Sequence, residues 1–264
     1  MIHLSCMSKP VMYRIKPKLK SVSIRQTNAQ NLFSLKEKMN NGMLLKKLIR
    51  QNLYFFVPWF LILTVTLLPL VLESRISVHM CINRHHSEIS DGFFKYITHL
   101  GGGLFTVVIC VLFLTVSFRK SLFIFLTYIS GGLIVQIMKR ILFPHALRPV
   151  KYFAGICELH LVEGVKIRSY FSFPSGHAAT AFGLFLCLAV LVKNNTVKLI
   201  CFIMAALVAF SRVYLSQHFL IDIYFGSIIG IVSAVFFCLL LFSSKRKWLD
   251  RSLFDYLRRG YHEK

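Results

Sequence analysis

The hydrophobic positions of this chain fall into six continuous apolar stretches that are separated by polar connections. Each stretch is close to the ~20 residues that a helix needs to cross ~30 Å of hydrocarbon. No ten-residue segments alternate with a period of two, and backbone groups in lipid must be hydrogen-bonded within the protein, so helices are favoured over strands. The pattern predicts an all-α bundle of six transmembrane helices at 53–72, 100–118, 121–138, 178–192, 197–214 and 223–242, the fourth being the shortest.

Composition agrees with a membrane protein and divides the chain into three parts. Of the 264 residues, 56% are hydrophobic, and the mean hydropathy is +0.63, which is more apolar than soluble domains are. We expect a basic tail at 1–52, a membrane domain at 53–242 and a basic amphipathic segment at 243–264. The first apolar stretch follows a long basic tail and has spanning length, which indicates an uncleaved anchor. Met39 and Met43 are alternative starts, and the polar residues before them are typical of disorder.

The net charge of +22 is distributed along the chain in a way that indicates an orientation in the membrane. Of the 32 Lys and Arg residues, 22 lie in segments that six spans would place on one side. By the positive-inside rule, both termini are cytoplasmic, and the excess charge needs no nucleic-acid partner. The segment from Lys245 to Leu257 is apolar at helical spacing among basic residues, which predicts a helix lying on anionic cytoplasmic lipid, with a frayed basic tail as the alternative. The loops 73–99, 139–177 and 213–222 then face outward.

The cysteines and the paired histidines do not predict a metal centre or a cofactor. Most of the seven cysteines lie in apolar windows, where a thiol behaves as a small hydrophobe, and no Cys-x-x-Cys pair occurs. Cys81 and Cys157 fall in outward loops, and a disulfide between them is left open. His85 and His86 are adjacent but lack a third ligand nearby, so we predict no metal.

The stretch Ser-Phe-Pro-Ser-Gly-His at 172–177 places polar residues at the start of an apolar helix. Ser175 is a good helix cap, so His177 falls in the first helical turn. The free N–H groups of that turn, with the positive end of the helix dipole, form an anion site. Gly176 allows the anion to approach the backbone, and a histidine beside an anion indicates proton transfer.

Two further polar clusters are predicted on the same outward side. His218 and Asp222 are four residues apart, so in a helix the carboxylate holds one ring nitrogen and leaves the other free as a nucleophile. The cations Lys139, Arg148 and Arg212 stand at or beyond helix ends on that side. Together with the helix start at 175–177, these groups predict a phosphate pocket.

These residues resemble the three motifs of the type 2 phosphatidic acid phosphatase superfamily. Its motifs Pro-Ser-Gly-His and Ser-Arg-x5-His-x3-Asp match in full, ending at His177 and Asp222. Its first motif, Lys-x6-Arg-Pro, departs here, because eight residues separate Lys139 from Arg148, and Arg140 is an alternative to Lys139. The resemblance covers residues from about 50 to 242.

The resemblance implies a role for each matched position. His218 attacks phosphorus, Asp222 orients it, and His177 protonates the leaving oxygen and later activates water. The remaining groups hold the phosphate oxygens without a metal or a cofactor, and these are Lys139, Arg148, Arg212, Ser175 and Gly176.

The outer segment 150–173 resembles that of bacterial lipid A phosphatases, especially the 4'-phosphatases of Bacteroidetes. This implies a lipid substrate, with the active site at the periplasmic face of the bacterial inner membrane. Removing a lipid A phosphate there lowers surface negative charge and the binding of cationic antimicrobial peptides. Undecaprenyl-pyrophosphate and phosphatidylglycerophosphate phosphatases are alternatives, and a transporter or scaffold for anionic ligands is the non-enzymatic one.

Overall fold

The computed structural model describes residues 42–256. The chain divides into two units, Met1–Met43 and Leu44–Lys264, and the description below concerns the second unit. The predicted disorder at the amino terminus and the alternative start at Met39 lie outside the described residues, as does the end of the amphipathic segment, 257–264.

All the regular secondary structure of residues 44–256 is helical, with no strand among them, which confirms the predicted all-α class over that range. Residues 44–51 are helical and are called α1. The helices that follow are α2 (Leu53–Leu72), α3 (Arg75–Arg84), α4 (Glu88–Ile97), α5 (Gly103–Leu114), α6 (Phe118–Ile137), α7 (Pro149–Tyr152), α8 (Gly176–Leu191), α9 (Asn195–Tyr214) and α10 (Leu220–Ser243). Short 3-10 helices cover Thr98–Gly101 and Lys247–Asp250, and a π-helical turn at Met138–Leu142 extends α6.

Four helices are long and apolar enough to cross a membrane: α2, α6 with its π turn, α9 and α10. A fifth span is possible if Glu88–Gly101 and Gly103–Leu114, which meet at an angle of 52°, form one broken span. The bend follows from Gly102, whose extended backbone (φ −79°, ψ 151°) interrupts the second predicted window. The fourth window becomes α8, which has 16 residues and is about 24 Å long at 1.5 Å per residue. The count of six spans stays a prediction.

Helix α8 lies at the centre of the bundle, where it contacts α6, α9 and α10. Most of its residues are buried, including Phe182, Leu186 and Cys187, and a helix that is apolar all round is expected in such a position. Its close approach to α10 depends on Gly226, because a Cβ there would lie 2.6 Å from the carbonyl oxygen of Ser175. This contact fixes the start of α8 against the start of α10.

The end of the bundle that holds the α8–α9 turn is closed by the segment after α10. Arg119 donates to both carboxylate oxygens of Asp250, at 2.6 and 3.0 Å, and to backbone carbonyls of that segment. Beside the guanidinium, the pKa of Asp250 is held below its usual value. Where the sequence predicts one interfacial helix, the structure has the 3-10 helix Lys247–Asp250 and a helical turn at 253–256, with Leu249 buried.

Candidate active site

The candidate site lies at the opposite end of the bundle, where α6 and α9 end and α8 and α10 begin. Two turns of backbone hold these ends together. The carbonyl oxygen of Arg212 accepts the N–H groups of Gln217 and His218 at 2.9 and 3.0 Å, which closes the 215–219 loop between α9 and α10. The N–H of Ser175 donates to the carbonyl oxygen of Asp222 at 2.9 Å, which joins the start of α8 to α10. The stretch at 172–177 and the His218–Asp222 pair are therefore brought together.

His218 and Asp222 form a buried pair, each 2% exposed. The ring Nδ1 of His218 lies 3.2 Å from Asp222 Oδ2. The same oxygen accepts the Ser172 hydroxyl at 2.5 Å and the Phe219 N–H at 3.0 Å, so three donors fix the carboxylate. With Nδ1 protonated against the carboxylate, Nε2 carries the lone pair.

The His218 ring is held in its neutral form. Burial lowers the pKa of His218 well below its usual value, and the positive charges of Arg148, Lys139 and Arg212 lower that pKa further. A neutral imidazole among three cations is a nucleophile that is ready at ordinary pH and is placed where an anion is attracted.

The two arginines are held by the protein and keep donors available for an anion. Arg148 is 4% exposed, and its Nε and Nη1 donate to the carbonyl oxygens of Tyr170 and Gln217, both at 2.9 Å. Burial, followed by the charge of Arg168, lowers the pKa of Arg148 to about 10, so it remains a cation at neutral pH. Arg212 donates through Nη1 to the Thr98 hydroxyl at 2.7 Å, while its buried Nε has no partner within the described range.

The lengthened first motif is accommodated by the π-helical turn at the end of α6. The N–H of Phe143 donates to the carbonyl oxygen of Met138 at 2.8 Å, five residues back, as in a π helix. Lys139 in this turn is 8% exposed and has no hydrogen-bond partner among residues 42–256. Arg140 is exposed and its Nε reaches Gln136 Oε1 at 3.4 Å. The geometry therefore favours Lys139 over Arg140 as the cation of this motif.

The start of α8 has the predicted cap, and its histidine faces the same group of charges. The Ser175 hydroxyl accepts the Ala178 N–H at 3.4 Å. The half-buried His177 interacts electrostatically with Arg212, with the His218 ring and with Lys139. A Cβ at Gly101 would lie 3.1 Å from the His177 carbonyl oxygen, so the 3-10 helix at Thr98–Gly101 packs directly against this residue.

Sequence reasoning missed a set of buried polar residues on α3 that supports the 215–219 loop. His79 is 1% exposed and its Nε2 lies 3.2 Å from the hydroxyl of Ser216, to which Asn83 also donates at 3.3 Å. Ser216 has φ +52°, the left-handed conformation that closes the loop just before His218. The His79 ring also packs edge-on against Phe219, with centroids 5.4 Å apart. The sequence carries no signal for these contacts, because 73–99 reads as a polar loop.

A second polar network ties the outer segment to the bundle. Asp91 accepts the Tyr214 hydroxyl at 2.6 Å and lies 2.8 Å from His160 Nε2. His160 also exchanges two backbone hydrogen bonds with the Asn83 amide, each 2.9 Å long. This network fixes the middle of the 153–172 segment beside α3 and α9.

The side chains of His85, His86 and Cys157 contact other residues of the chain. His85 Nδ1 lies 2.7 Å from the Cys81 carbonyl oxygen, and His86 stacks on His160 with centroids 3.7 Å apart. Cys81 and Cys157 are both free thiols. Over residues 42–256 no three His, Cys, Asp or Glu side chains are grouped so that they could hold a metal ion.

Comparison with known proteins identifies the part of the chain that carries this site. Residues 120–246 match the sequence profile of the PAP2 superfamily, a range that includes every predicted site residue. LpxE from Aquifex aeolicus is 25% identical with a TM-score of 0.54, covering 62% of this chain and 93% of that one. A transmembrane PAP2-type phosphatidylglycerolphosphate phosphatase from Bacillus subtilis is 24% identical with a TM-score of 0.50, covering 73% and 98%. No curated protein sequence matches the chain.

Proposed function

The chain carries a PAP2 superfamily domain at residues 120–246, and from this premise we propose that it is a membrane lipid phosphatase that acts through a phosphohistidine. The observation that carries the proposal is the buried His218–Asp222 pair, 3.2 Å apart, surrounded by the charges of three buried cations. Phosphoryl transfer needs a neutral nucleophile that can attack phosphorus and a cluster of positive charge that stabilises the phosphoryl oxygens.

The reaction proceeds in two displacements. In the first, His218 Nε2 forms a bond to phosphorus as the ester P–O bond breaks. His177, which is protonated once the bound phosphate dianion offsets the charge of the surrounding cations, gives its proton to the leaving oxygen. In the second, neutral His177 takes a proton from water, whose oxygen attacks phosphorus and displaces His218. Inorganic phosphate leaves, and His177 is protonated again.

The remaining residues stabilise charge on the transferred phosphoryl group. Lys139, Arg148 and Arg212 supply positive charge to its equatorial oxygens, and the N–H groups at Ser175 and Gly176 add donors at the start of α8. Asp222 holds Nδ1 of His218 and stabilises the positive charge that the ring gains on attack. The protein thus supplies the cations that other phosphatases take from metal ions.

An apolar cavity beside the site supports a substrate with hydrocarbon chains. It has a volume of about 320 Å³ and lies between α2, α8, α9 and α10. Its wall includes Leu220, Ile223 and Tyr224, on the first turns of the helix that carries Asp222. A phosphorylated headgroup in the site therefore has an apolar space next to it within the bundle.

We place the six spans and the site in the membrane by the charge distribution. With 22 of 32 Lys and Arg residues on one side, both termini are proposed to be cytoplasmic and the catalytic end to face the periplasm at the inner membrane. The candidate site then meets lipids of the outer leaflet of that membrane.

We propose lipid A as the substrate, with the 4'-phosphate as the group removed. The consequence would be a lower negative charge on the cell surface and a lower sensitivity to cationic antimicrobial peptides. The outer segment, whose resemblance to that of lipid A phosphatases suggests this substrate, reaches the site, since its carbonyl oxygens at Tyr170 and Phe171 bond Arg148 and its Ser172 bonds Asp222. The similarity to LpxE, a lipid A 1-phosphatase, supports lipid A as the substrate but not the 4' position. Phosphatidylglycerophosphate is the second candidate, favoured by the similarity to the Bacillus subtilis phosphatase. Undecaprenyl pyrophosphate is the third.

The test is phosphate release by the purified chain from each of the three lipids, together with mass spectrometry of lipid A from cells with and without the gene. We expect a mass difference of one phosphate at the 4' position, and no release by His218→Ala. Release from another lipid with unchanged lipid A would refute the substrate. Full activity of His218→Ala would refute the mechanism, and no activity on any lipid would favour the transporter or scaffold.

A further inference from the structure

A second polar pocket lies at the end of the bundle away from the candidate active site. We call it the distal pocket, and it has a volume of about 710 Å³. It is formed by α1, the turn from α8 to α9 and the last turns of α10. Helix α10 runs from Asp222 in the candidate site to Ser243 in the distal pocket, and its 24 residues span about 36 Å. The two pockets are therefore separated by roughly the thickness of a bilayer.

The distal pocket is lined by cations that are not neutralised. Lys47, Arg50, Lys193 and Lys198 contribute to its wall, which contains no Asp or Glu. None of the four forms an ion pair with a carboxylate in the part of the chain that the structure describes. Uncompensated positive charge in one concave surface favours a negatively charged ligand.

Two buried polar side chains show that this surface is built into the bundle. Lys198 is 5% exposed and its ammonium donates to the Gln51 carbonyl oxygen, which holds the α8–α9 turn against α1. Asn52 is 2% exposed, and its Nδ2 donates to the Leu48 carbonyl oxygen at 2.8 Å. Its Oδ1 is buried and has no partner within residues 42–256. A buried acceptor without a donor indicates a missing hydrogen-bond partner such as a headgroup hydroxyl or ammonium.

The opposite wall of the distal pocket is apolar. Leu239, Phe242 and Cys238 of α10 line it, and Phe242 is 42% exposed. These residues belong to a helix that is apolar enough to cross the membrane. A ligand that fits cations on one side and hydrocarbon on the other is amphipathic and anionic.

From this arrangement we propose that the distal pocket binds an anionic membrane glycerophospholipid, with its phosphate at Lys47, Arg50 and Lys193 and its acyl chains along Leu239 and Phe242. The lipid is a bound partner of the bundle on the face opposite the catalytic one. Within the described residues, the lining of the pocket contains no histidine and no carboxylate, and Ser243 is its one serine, so it lacks the groups for hydrolysis and holds the lipid as an intact molecule.

The amino-terminal residues of the chain itself are a poor match for this pocket. Residues 1–41 contain eight Lys or Arg and one Glu, so their charge repels the four cations of the wall. A free inorganic anion would use the cations but not the apolar wall. The combination of both walls therefore favours the lipid.

The experiment is a titration of the full purified chain in detergent with phosphatidylglycerol, followed by native mass spectrometry. The pocket variant changes Lys47, Arg50 and Lys193 to Ala. The matched control changes the exposed cations Lys46, Lys245 and Lys247 to Ala, which lie at the same end of the bundle but do not line the pocket. A single charge reversal, Lys193→Glu, gives a second variant with a smaller perturbation.

We expect wild type and control to bind one phosphatidylglycerol with similar affinity, and the pocket variant to bind it about tenfold more weakly or worse. Lys193→Glu should also weaken binding, and phosphatidylcholine should bind none of the proteins comparably. Unchanged elution on size exclusion establishes that each variant is folded. Equal affinities of the pocket and control variants would overturn the proposal. Displacement of the lipid by millimolar inorganic phosphate would overturn it as well, since the ligand would then be a free anion.

Discussion

Replacement of Asp222 by Asn tests the chemistry of the candidate site most directly. The carboxylate oxygen Oδ2 accepts three donors, from His218 at 3.2 Å, Ser172 at 2.5 Å and Phe219 at 3.0 Å. An amide oxygen has two lone pairs and no net charge, so it holds these donors less well while filling the same volume. The substitution therefore removes charge from the site with little change in packing.

The expected loss of activity follows from the charge that His218 gains when it attacks phosphorus. A unit charge on the ring at 3.2 Å from the carboxylate is stabilised by about 5 kcal/mol at an effective dielectric constant of ~20. Since each 1.36 kcal/mol corresponds to a factor of ten, kcat should fall by about 10³ to 10⁴. KM should change little, because the cations that bind the phosphate are kept.

This step is measured by single-turnover phosphate release from a labelled lipid. The reaction is not quenched with acid, because acid hydrolyses phosphohistidine. Asp91→Asn is the matched control, since Asp91 bonds Tyr214 and His160 at the same end of the bundle. We expect the control to retain activity within a few-fold of wild type. If Asp222→Asn kept more than about a tenth of wild-type kcat, the role assigned to the carboxylate would be wrong.

Three further predictions concern the cations, the support of the loop and the metal. Lys139→Ala should lower kcat/KM by about 10², whereas Arg140→Ala, at an exposed position, should keep kcat/KM within about threefold of wild type. If Arg140→Ala instead caused the larger loss, Arg140 would be the cation of the first motif. Burial lowers the pKa of His79 to about 4. On acidification the unfolded chain therefore binds a proton at His79 before the folded chain does, and the free energy of unfolding should fall by up to ~3 kcal/mol as pH drops from ~6.5 through 4. Thermal unfolding of His79→Gln in the same detergent should lack this decrease, and an unchanged decrease would assign it to other groups. Excess EDTA should leave the rate of phosphate release unchanged, and a loss that only added Mg²⁺ restores would contradict the cation-only mechanism.

The fold could be predicted where one apolar run makes one helix. The windows at 53–72 and 223–242 correspond closely to α2 and α10, because spanning length and composition alone specify such helices. The window at 100–118 could not be placed correctly, since its glycines allow the extended residue that separates the 3-10 helix from α5. Gly101, at the end of that 3-10 helix, lies against the His177 backbone, a tertiary contact that the hydrophobic pattern does not record.

The site could be predicted where its residues act on one another over short sequence distances. The pairs Ser175 with Ala178, and His218 with Asp222, are three and four residues apart, and both hydrogen bonds form. The cap of α8 is as expected, whereas His218 lies in the loop before α10 and not on the helix face that its spacing from Asp222 predicted. The support from His79 and Asn83 crosses more than 130 residues of sequence to reach Ser216. No periodicity records such a contact, since only the folded bundle brings α3 to the loop between α9 and α10.

The hydrogen bonds of the outer segment connect substrate recognition to catalysis. Arg148 is oriented by the Tyr170 carbonyl oxygen, and Asp222 by the Ser172 hydroxyl, so the outer segment positions the cation that we propose to bind phosphate and the partner of the proposed nucleophile. Because a shift of about 1 Å in such groups costs roughly a hundredfold in rate, a headgroup that displaces the segment slows the chemical step as well as binding. Selectivity among lipids is therefore expected to appear in kcat, since the site is assembled fully only when 170–172 keeps this conformation.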